Sequence, residues 1–455
     1  MEPTDIETIT RWARGRLAGG DPALTVEAIC TDSRALKSRD LFLALRGDNF
    51  DGHTFVAEAA QRGAAGAVVE ETPADLPADF AVIEVGNTLE ALQQIAARYR
   101  RDLSLQVIGI TGSNGKTSTK DLTAAVLGQH FQVTKTRGNL NNHIGLPLTM
   151  LRARHSDQIG VFEMGMNHPG EIAPLAALAA PDVAIITNIG IAHIEYLQTR
   201  EAIALEKGAL AEALLPSGTV ILNAEDEFSK SIAARTKADA IFCGLESGDV
   251  RASEIRQDFT GMKFRLCADQ RCVDAELPVP GLHMVRNALL AVAAGRVFGL
   301  SLEECAEGLR RLQLTKGRLE QKIIHGVQVL DDTYNANPDS MSAALRTLAE
   351  MPATGRRIAV LGRMGELGGE AERGHRRVGE VAAQLGIDWV IGVGAEPGWI
   401  ADEARRGGVG KVLKIETAEE AVEAIRGLAK PGDVVLVKGS RSSQMERIVE
   451  GMQRP

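Results

Sequence analysis

The chain of 455 residues is too long for one ordinary core, and its length predicts roughly three domains. Its 44% hydrophobic and 24% charged residues make a globular composition, and no run approaches the roughly 18 apolar residues of a membrane helix. A net charge of -9 argues against a nucleic-acid partner, which would need a basic face, but leaves room for an anionic small substrate at a locally basic site.

Five cysteines, Cys30, Cys243, Cys267, Cys272 and Cys305, form no C-x-x-C pair. That argues against zinc and dithiol chemistry and predicts free thiols in a reducing compartment. Met1 to Arg16 lacks the apolar core of a signal peptide, so a cytoplasmic protein without membrane insertion is expected. Aromatics are few and Gly and Ala plentiful, which suits α/β layers with closely packed helices.

Residues 1–103 read as a small α/β unit. A helix at about 4–15 leads to Val26–Cys30, the turn Thr31–Arg34 and a strand Asp40–Leu45. A polar loop Arg46–His53 and a helix His53–Arg62 follow, then short strands Ala67–Glu70 and Ala81–Val85 and a helix Thr88–Arg100. Ser33, Arg34, Asp51 and His53 lie on loops beside strand ends, where ligands are often held. Capping of a turn and of a helix is an equally good local reading of them.

Residues 104–316 form the second unit, which starts with the strand Val107–Ile110. A glycine-rich turn follows, and a helix opens at Lys116. Gly112 and Gly115 can take backbone angles closed to other residues, and the helix start favours an anion. Residues Gly112, Ser113, Asn114, Gly115, Lys116, Thr117 and Ser118 therefore predict a phosphate cradle. Lys116 would reach the outer phosphates and Thr117 would ligate Mg²⁺. The spacing departs from G-x-x-x-x-G-K-[ST], because Ile110 stands at the first glycine.

The next loop carries Arg137, Asn139, Asn141 and Asn142, a cluster that suggests polar recognition. Strands are then expected at Ile159–Glu163 and Val183–Asn188, and Ile191–His193 reads as one more strand end. Ligands in open parallel sheets lie at such ends, so Glu163, Asn188 and His193 are candidates to converge on a metal. A helix Glu201–Leu215 holds the pair Glu206–Lys207, which periodicity alone would place on a solvated face. After Thr219–Asn223 come β-rich residues 237–280. His283–Asn287 then precedes a helix Ala288–Phe298.

Residues 317–455 form the third unit. Gly317–Glu320 leads to the strand Val327–Leu330 and the run Asp331–Pro338. Strands Ile358–Gly362, Trp389–Val393, Val412–Ile415 and Val434–Lys438 alternate with helices, as in a Rossmann-like sheet, but no G-x-G-x-x-G follows the first strand. The fold class is thus α/β in three domains: a small N-terminal substrate domain, a central P-loop ATPase-like domain and a C-terminal Rossmann-like domain.

Taken together, these motifs resemble the Mur ligases, the ATP-dependent amide-forming enzymes of peptidoglycan synthesis, over nearly the whole chain. Thr111–Thr117 looks like that family's own phosphate loop, which accounts for the missing glycine. Phe162–Ile172, Asp331–Met341 and Val435–Glu446 look like the member that adds a dipeptide. The sibling that adds the third residue would be expected to carry Tyr-Ala-His-Thr-Pro and Asp-Asn-Pro-Arg runs, and neither occurs.

The resemblance implies UDP-N-acetylmuramoyl-tripeptide and D-Ala-D-Ala as substrates and ATP and Mg²⁺ as cofactors; the sequence does not speak to oligomeric state, and a monomer is the expectation. It implies Thr117, Glu163 and His193 as Mg²⁺ ligands. Lys207 falls where the family carries a lysine carbamylated by CO₂. Asn287 would lie near adenine, Arg318 would reach the ATP phosphates with Lys116, and Asp332, Tyr334 and Asn335 would touch the nucleoside. Ser33, Arg34, Asp51, His53, Asn139, Asn141 and Asn142 match regions that hold the UDP-sugar peptide. Arg363, in the loop Gly362–Gly368, stands where aspartate is expected. ATP is expected to draw the third domain onto the second and so assemble the site.

Overall fold

The computed structural model describes residues 1–47 and 50–454, so Asp48 and Asn49 of the polar loop lie outside the described residues. Two compact units are present. One holds residues 1–109, 130–166 and 171–182, and the other holds 110–129, 167–170 and the chain from 183 on.

In the first unit a five-stranded sheet has the order Arg16–Gly19, Ala81–Glu84, Gly66–Val69, Asp40–Leu43, Ala28–Cys30. All neighbours are parallel except the edge strand Arg16–Gly19. Gly66–Val69 and Leu41–Leu43 are buried along their length, which is why they read as continuous apolar runs rather than alternating ones. The first helix spans only Ile6–Trp12, because the Asp5 side chain accepts from Thr8 N and starts it there. Asn87 caps the helix Thr88–Asp102 in the same way, and Ala91, Leu92, Ile95, Ala96 and Tyr99 form its buried stripe. Within the polar loop, Arg46–Gly47 pairs antiparallel with Phe50–Asp51. The unit also contains the parallel pair Val133–Lys135 and Ile159–Glu163, with Glu163 at the carboxyl end of a fully buried strand.

The phosphate-loop strand Gln106–Thr111 passes from the first unit into the second. There the strands Val183–Ile186, Thr219–Asn223 and Asp239–Gly244 are parallel neighbours, and a meander Val250–Asp258, Gly261–Ala268, Arg271–Leu277 extends them. The helix Leu282–Val297 is buried on nearly every side and packs on the phosphate-loop helix Lys116–Leu127. Small residues permit that closeness: a Cβ on Gly295 would lie 2.7 Å from Val126.

The structure departs from three expectations. The hairpin turn at Asp269 and Gln270, both with positive φ, sets Cys267 directly opposite Cys272, and the two form a disulfide. Only Cys30, Cys243 and Cys305 are free thiols among the described residues. The spacing of five hid this pairing, which depends on strand register. The helix expected from Ala288 opens at Leu282, so Asn287 is a helical residue in its second turn. His193 does not end a strand. The strand stops at Ile186, and His193, with φ of 64°, is the N-cap of a short helix Ile194–Leu197.

The C-terminal part holds a six-stranded sheet in the order Glu320–Ile324, Val327–Asp332, Val434–Lys438, Arg357–Leu361, Trp389–Val393, Lys411–Ile415. The first pair is antiparallel and the rest are parallel. Alternation along the strands feeds two cores. Leu330, Ala359, Leu361, Val390 and Leu436 meet the helices Pro338–Glu350, Ala371–Gln384 and Gly398–Arg406 on one face. Val329, Ile358, Val360, Ile391 and Val437 meet Ala418–Leu428 and Glu446–Gln453 on the other. Among the described residues no helix is long and apolar enough to cross a membrane.

Candidate active site

The phosphate loop is held in shape from outside itself. A Cβ on Gly112 would lie 1.8 Å from Thr187 Oγ1, and one on Gly115 would lie 2.6 Å from Asn287 Oδ1, so both positions require glycine. Gly115, at φ of 81°, is the N-cap and offers no side-chain capping hydrogen bond to the first turn of the helix. The segment after the neighbouring strand fastens the loop. Asn188 accepts from Asn114 N through Oδ1 (3.0 Å) and donates to Asn114 O through Nδ2 (3.1 Å), while Ser113 Oγ accepts from Gly190 N (2.9 Å). Asn188, expected to converge on a metal, instead has its amide committed to the loop backbone. Lys116 Nζ lies over the loop and donates to Gly112 O (2.7 Å).

Four side chains of the C-terminal part reach this region within the same compact unit. Arg318 stacks on the Tyr334 ring (4.2 Å), and its guanidinium is 3.5 Å from Thr117 Oγ1, with a buried Nε that has no hydrogen-bond partner. Asn337 Nδ2 donates to Asn114 Oδ1 (2.7 Å), and Asp339 Oδ2 accepts from Ile191 N (3.1 Å). Glu366 pairs with His193 Nδ1 at 2.7 Å. Burial pushes the His193 pKa down, and the Glu366 carboxylate opposes that shift. The loop 362–368 thus contributes through Glu366, while Arg363 turns away to bond Glu396 (2.8 Å).

Behind these residues is a buried polar knot. Lys438 Nζ donates to Asp332 Oδ2 (2.6 Å) and Asn335 O (2.9 Å), and Asp332 Oδ1 accepts from Leu319 N (3.3 Å). Adjacent strands bring Lys438 beside Asp332 in register. Burial lowers the pKa of Lys438 and pushes that of His283 down to about 4, with Asp332 opposing both.

Lys207 corrects the solvated-face reading of its helix. It points inward at 1% exposure, and its neighbour Glu206 accepts from Gly170 N (2.7 Å). Burial first, and then the Lys116 charge, hold its amine well below the usual lysine range.

In the first unit, Asn141 Nδ2 donates to Glu163 Oε1 (2.8 Å), and Glu163 Oε2 is buried with no hydrogen-bond partner. An anionic oxygen left this way fits a cation, and Mg²⁺ characteristically takes one or two carboxylates beside substrate phosphates. Among the described residues no three His, Cys, Asp or Glu side chains cluster as a ready-made metal cage. Asn142 Oδ1 accepts from Gly145 N (2.8 Å) at the start of the helix Gly145–Met150, whereas Asn139 is exposed. Arg34 bonds Asp32 twice through its guanidinium, at 2.9 and 2.8 Å, and beside it the Asp32 pKa falls to about 2. Ser33 is buried in that turn. His53 is pinned between Asp51 Oδ1 (2.6 Å) and Glu70 N, which donates to its Nε2 (2.8 Å).

Sequence reasoning does not single out Thr187, Asn337, Asp339, Glu366 or Lys438. Asn337, Asp339 and Lys438 lie in stretches that carry the resemblance, and that was their only signal. Thr187 and Glu366 act through contacts that no local pattern marks.

A glycine-capped helix start facing a stacked arginine has the chemistry of a nucleotide-phosphate site, and the class is that of phosphate-loop α/β proteins. Three family models match in succession: "Mur ligase family, catalytic domain" over residues 25–100, "Mur ligase middle domain" over 110–295, and "Mur ligase, glutamate ligase domain" over 310–441. The chain is 38% identical to the UDP-N-acetylmuramoyl-tripeptide–D-alanyl-D-alanine ligase of Bacillus subtilis, covering 98% of both chains. It is 37% identical to the Escherichia coli ligase of the same name, over 100% of this chain and 99% of that one. A crystal structure of MurF from Acinetobacter baumannii superposes with a TM-score of 0.91 at 34% identity over the full length of both. The Thermotoga maritima MurF ligase in complex with ADP gives 0.85 at 28% identity, over 94% of this chain and 97% of that one. The chain belongs to the Mur ligase family and is an ATP-dependent ligase.

Proposed function

We propose that this chain joins D-Ala-D-Ala to UDP-N-acetylmuramoyl-tripeptide, a step in making the peptidoglycan precursor, and that it works as a cytoplasmic monomer. The observation that carries the reading is the gathering of Arg318, Tyr334, Asn337 and Glu366 around a phosphate loop, in a chain aligned end to end with ligases of that name. In this reading the peptide carboxylate attacks the γ-phosphoryl group of ATP, giving an acyl phosphate and ADP. The dipeptide amine then attacks the activated carbonyl, and phosphate leaves.

Two anions meet in the first step, so Lys116 and Arg318 align them and offset their charge. Loop amides from Gly112 to Ser118 cradle the phosphates. Asn287 would meet the adenine, and Asp332, Tyr334 and Asn335 the nucleoside. Thr117, Glu163, His193 and a carbamylated Lys207 would hold Mg²⁺, which when bound supplies further positive charge to the phosphates. Glu163 supports this with its unpartnered buried oxygen, and Lys207 with a buried amine that can exist neutral and add CO₂. Ser33, Arg34, Asp51, His53, Asn139, Asn141 and Asn142 are proposed to hold the UDP-sugar peptide.

Product analysis tests the reaction. Mass spectrometry should show the tripeptide extended by D-Ala-D-Ala and not by a single amino acid; extension by one residue would contradict it. Lysine carbamylation has its own readout. ¹³C-bicarbonate should give a carbamate resonance that is absent in Lys207→Met, and equal resonances in both proteins would remove Lys207 from the metal set.

A further inference from the structure

The segment that leads to Arg318 is fixed at both ends. On one side Thr315 donates to Oδ2 of Asp121 twice, through its backbone N–H (2.9 Å) and through its hydroxyl (2.8 Å). On the other, the Gly317 carbonyl accepts from Tyr334 N (3.1 Å) and Leu319 N donates to Asp332 Oδ1 (3.3 Å). Arg318 sits between these points. Asp121 belongs to the phosphate-loop helix and is 2% exposed. It lies four residues after Thr117, so the two share a helix face about 6 Å apart along the axis. The linker therefore docks at Asp121 by Thr315 and at Thr117 by Arg318, one helical turn apart.

We propose that Asp121 and Thr315 form a clamp that positions Arg318 over the phosphate loop, setting where its guanidinium meets the nucleotide. The proposal rests on Arg318 being the cation that contacts the phosphates. A buried carboxylate that accepts two hydrogen bonds from one linker residue is a strong, directional tether. Arginine has a long side chain with many rotamers, so the backbone that carries it must be fixed for the charge to arrive in place. A misplacement of about 1 Å at a reacting centre can cost roughly a hundredfold in rate. Thr315 is a positioning residue: its hydrogen bonds go to Asp121, and it acts through Arg318.

The test is a double-mutant cycle read by steady-state ADP release and thermal unfolding. Thr315→Val keeps the shape and the backbone N–H but removes the hydroxyl bond. It should lower kcat roughly tenfold, and the unfolding midpoint should fall slightly, because the buried Asp121 carboxylate keeps only the backbone bond. Thr315→Ser should regain most of the loss. In an Arg318→Ala background, Thr315→Val should have no further effect, because the clamp then has nothing to position. Parent-like turnover in Thr315→Val, or losses that simply multiply in the double variant, would overturn the clamp while leaving the reading of Arg318 intact. Parent-like turnover in Arg318→Ala would instead overturn that reading, and the clamp with it.

Discussion

The phosphate loop and the first-unit loops around Arg34 and His53 are both rich in polar side chains, yet they satisfy them in opposite ways. At the phosphate loop the partners come from far along the chain: Asn114 meets Asn188 and Asn337, and Thr117 meets Arg318. In the first unit Arg34 meets Asp32 and His53 meets Asp51, each two residues away. The first arrangement exists only in the assembled unit, so it is geometry prepared in advance for charge that arrives with a ligand. The second is mostly local: the Arg34–Asp32 pair needs nothing beyond its own turn, and only the Glu70 N–H reaches His53 from farther along the chain. A substitution at the phosphate loop should therefore damage chemistry, and one at the local pairs should at most weaken a substrate contact.

The largest effect should come from Gly112→Ala. The added Cβ would strike Thr187 Oγ1, in a backbone conformation that side chains rarely adopt. ADP release should fall below detection, and ATP should no longer raise the unfolding midpoint; a normal ATP-induced rise would contradict the account of the loop. Arg318→Ala should follow, lowering kcat by roughly 10²–10³ as removal of a transition-state charge contact does, with little change in stability. Glu366→Ala is expected to cost about tenfold, because it removes the partner that orients His193 from across the unit. If its kcat is unchanged, the pairing is incidental. The smallest effect is reserved for Arg34→Ala. Its exposed pair with Asp32 carries little stability, so the unfolding midpoint should not move, and the KM for the UDP-peptide should rise several-fold at constant kcat. A fall in kcat there would erase the contrast between the two regions.

The sheets were legible because their strands are short apolar runs between turn residues, and the doubly wound C-terminal sheet shows its alternation between two cores. The phosphate loop was legible because its chemistry is local: glycines, a lysine and a threonine at a helix start. What stayed hidden depends on tertiary contact. Lys207 was marked by the resemblance alone, because a helical projection puts it on a solvated face and only packing turns it inward. His193 reads as a strand end because Ile191 and Ala192 are apolar, yet the chain has already left the sheet at Ile186. Cys267 and Cys272 pair through a register that spacing does not encode. Glu366 could not have been found by any pattern, since its partner His193 lies far back along the chain.

If the gathered phosphate site drives amide formation between a UDP-linked tripeptide and a dipeptide, turnover of ATP depends on both. Steady-state ADP release in a cross of UDP-N-acetylmuramoyl-tripeptide with D-Ala-D-Ala tests it most directly. Release should occur only when both are present with ATP. Release at the full rate with ATP alone, or with the tripeptide and no dipeptide, would contradict it.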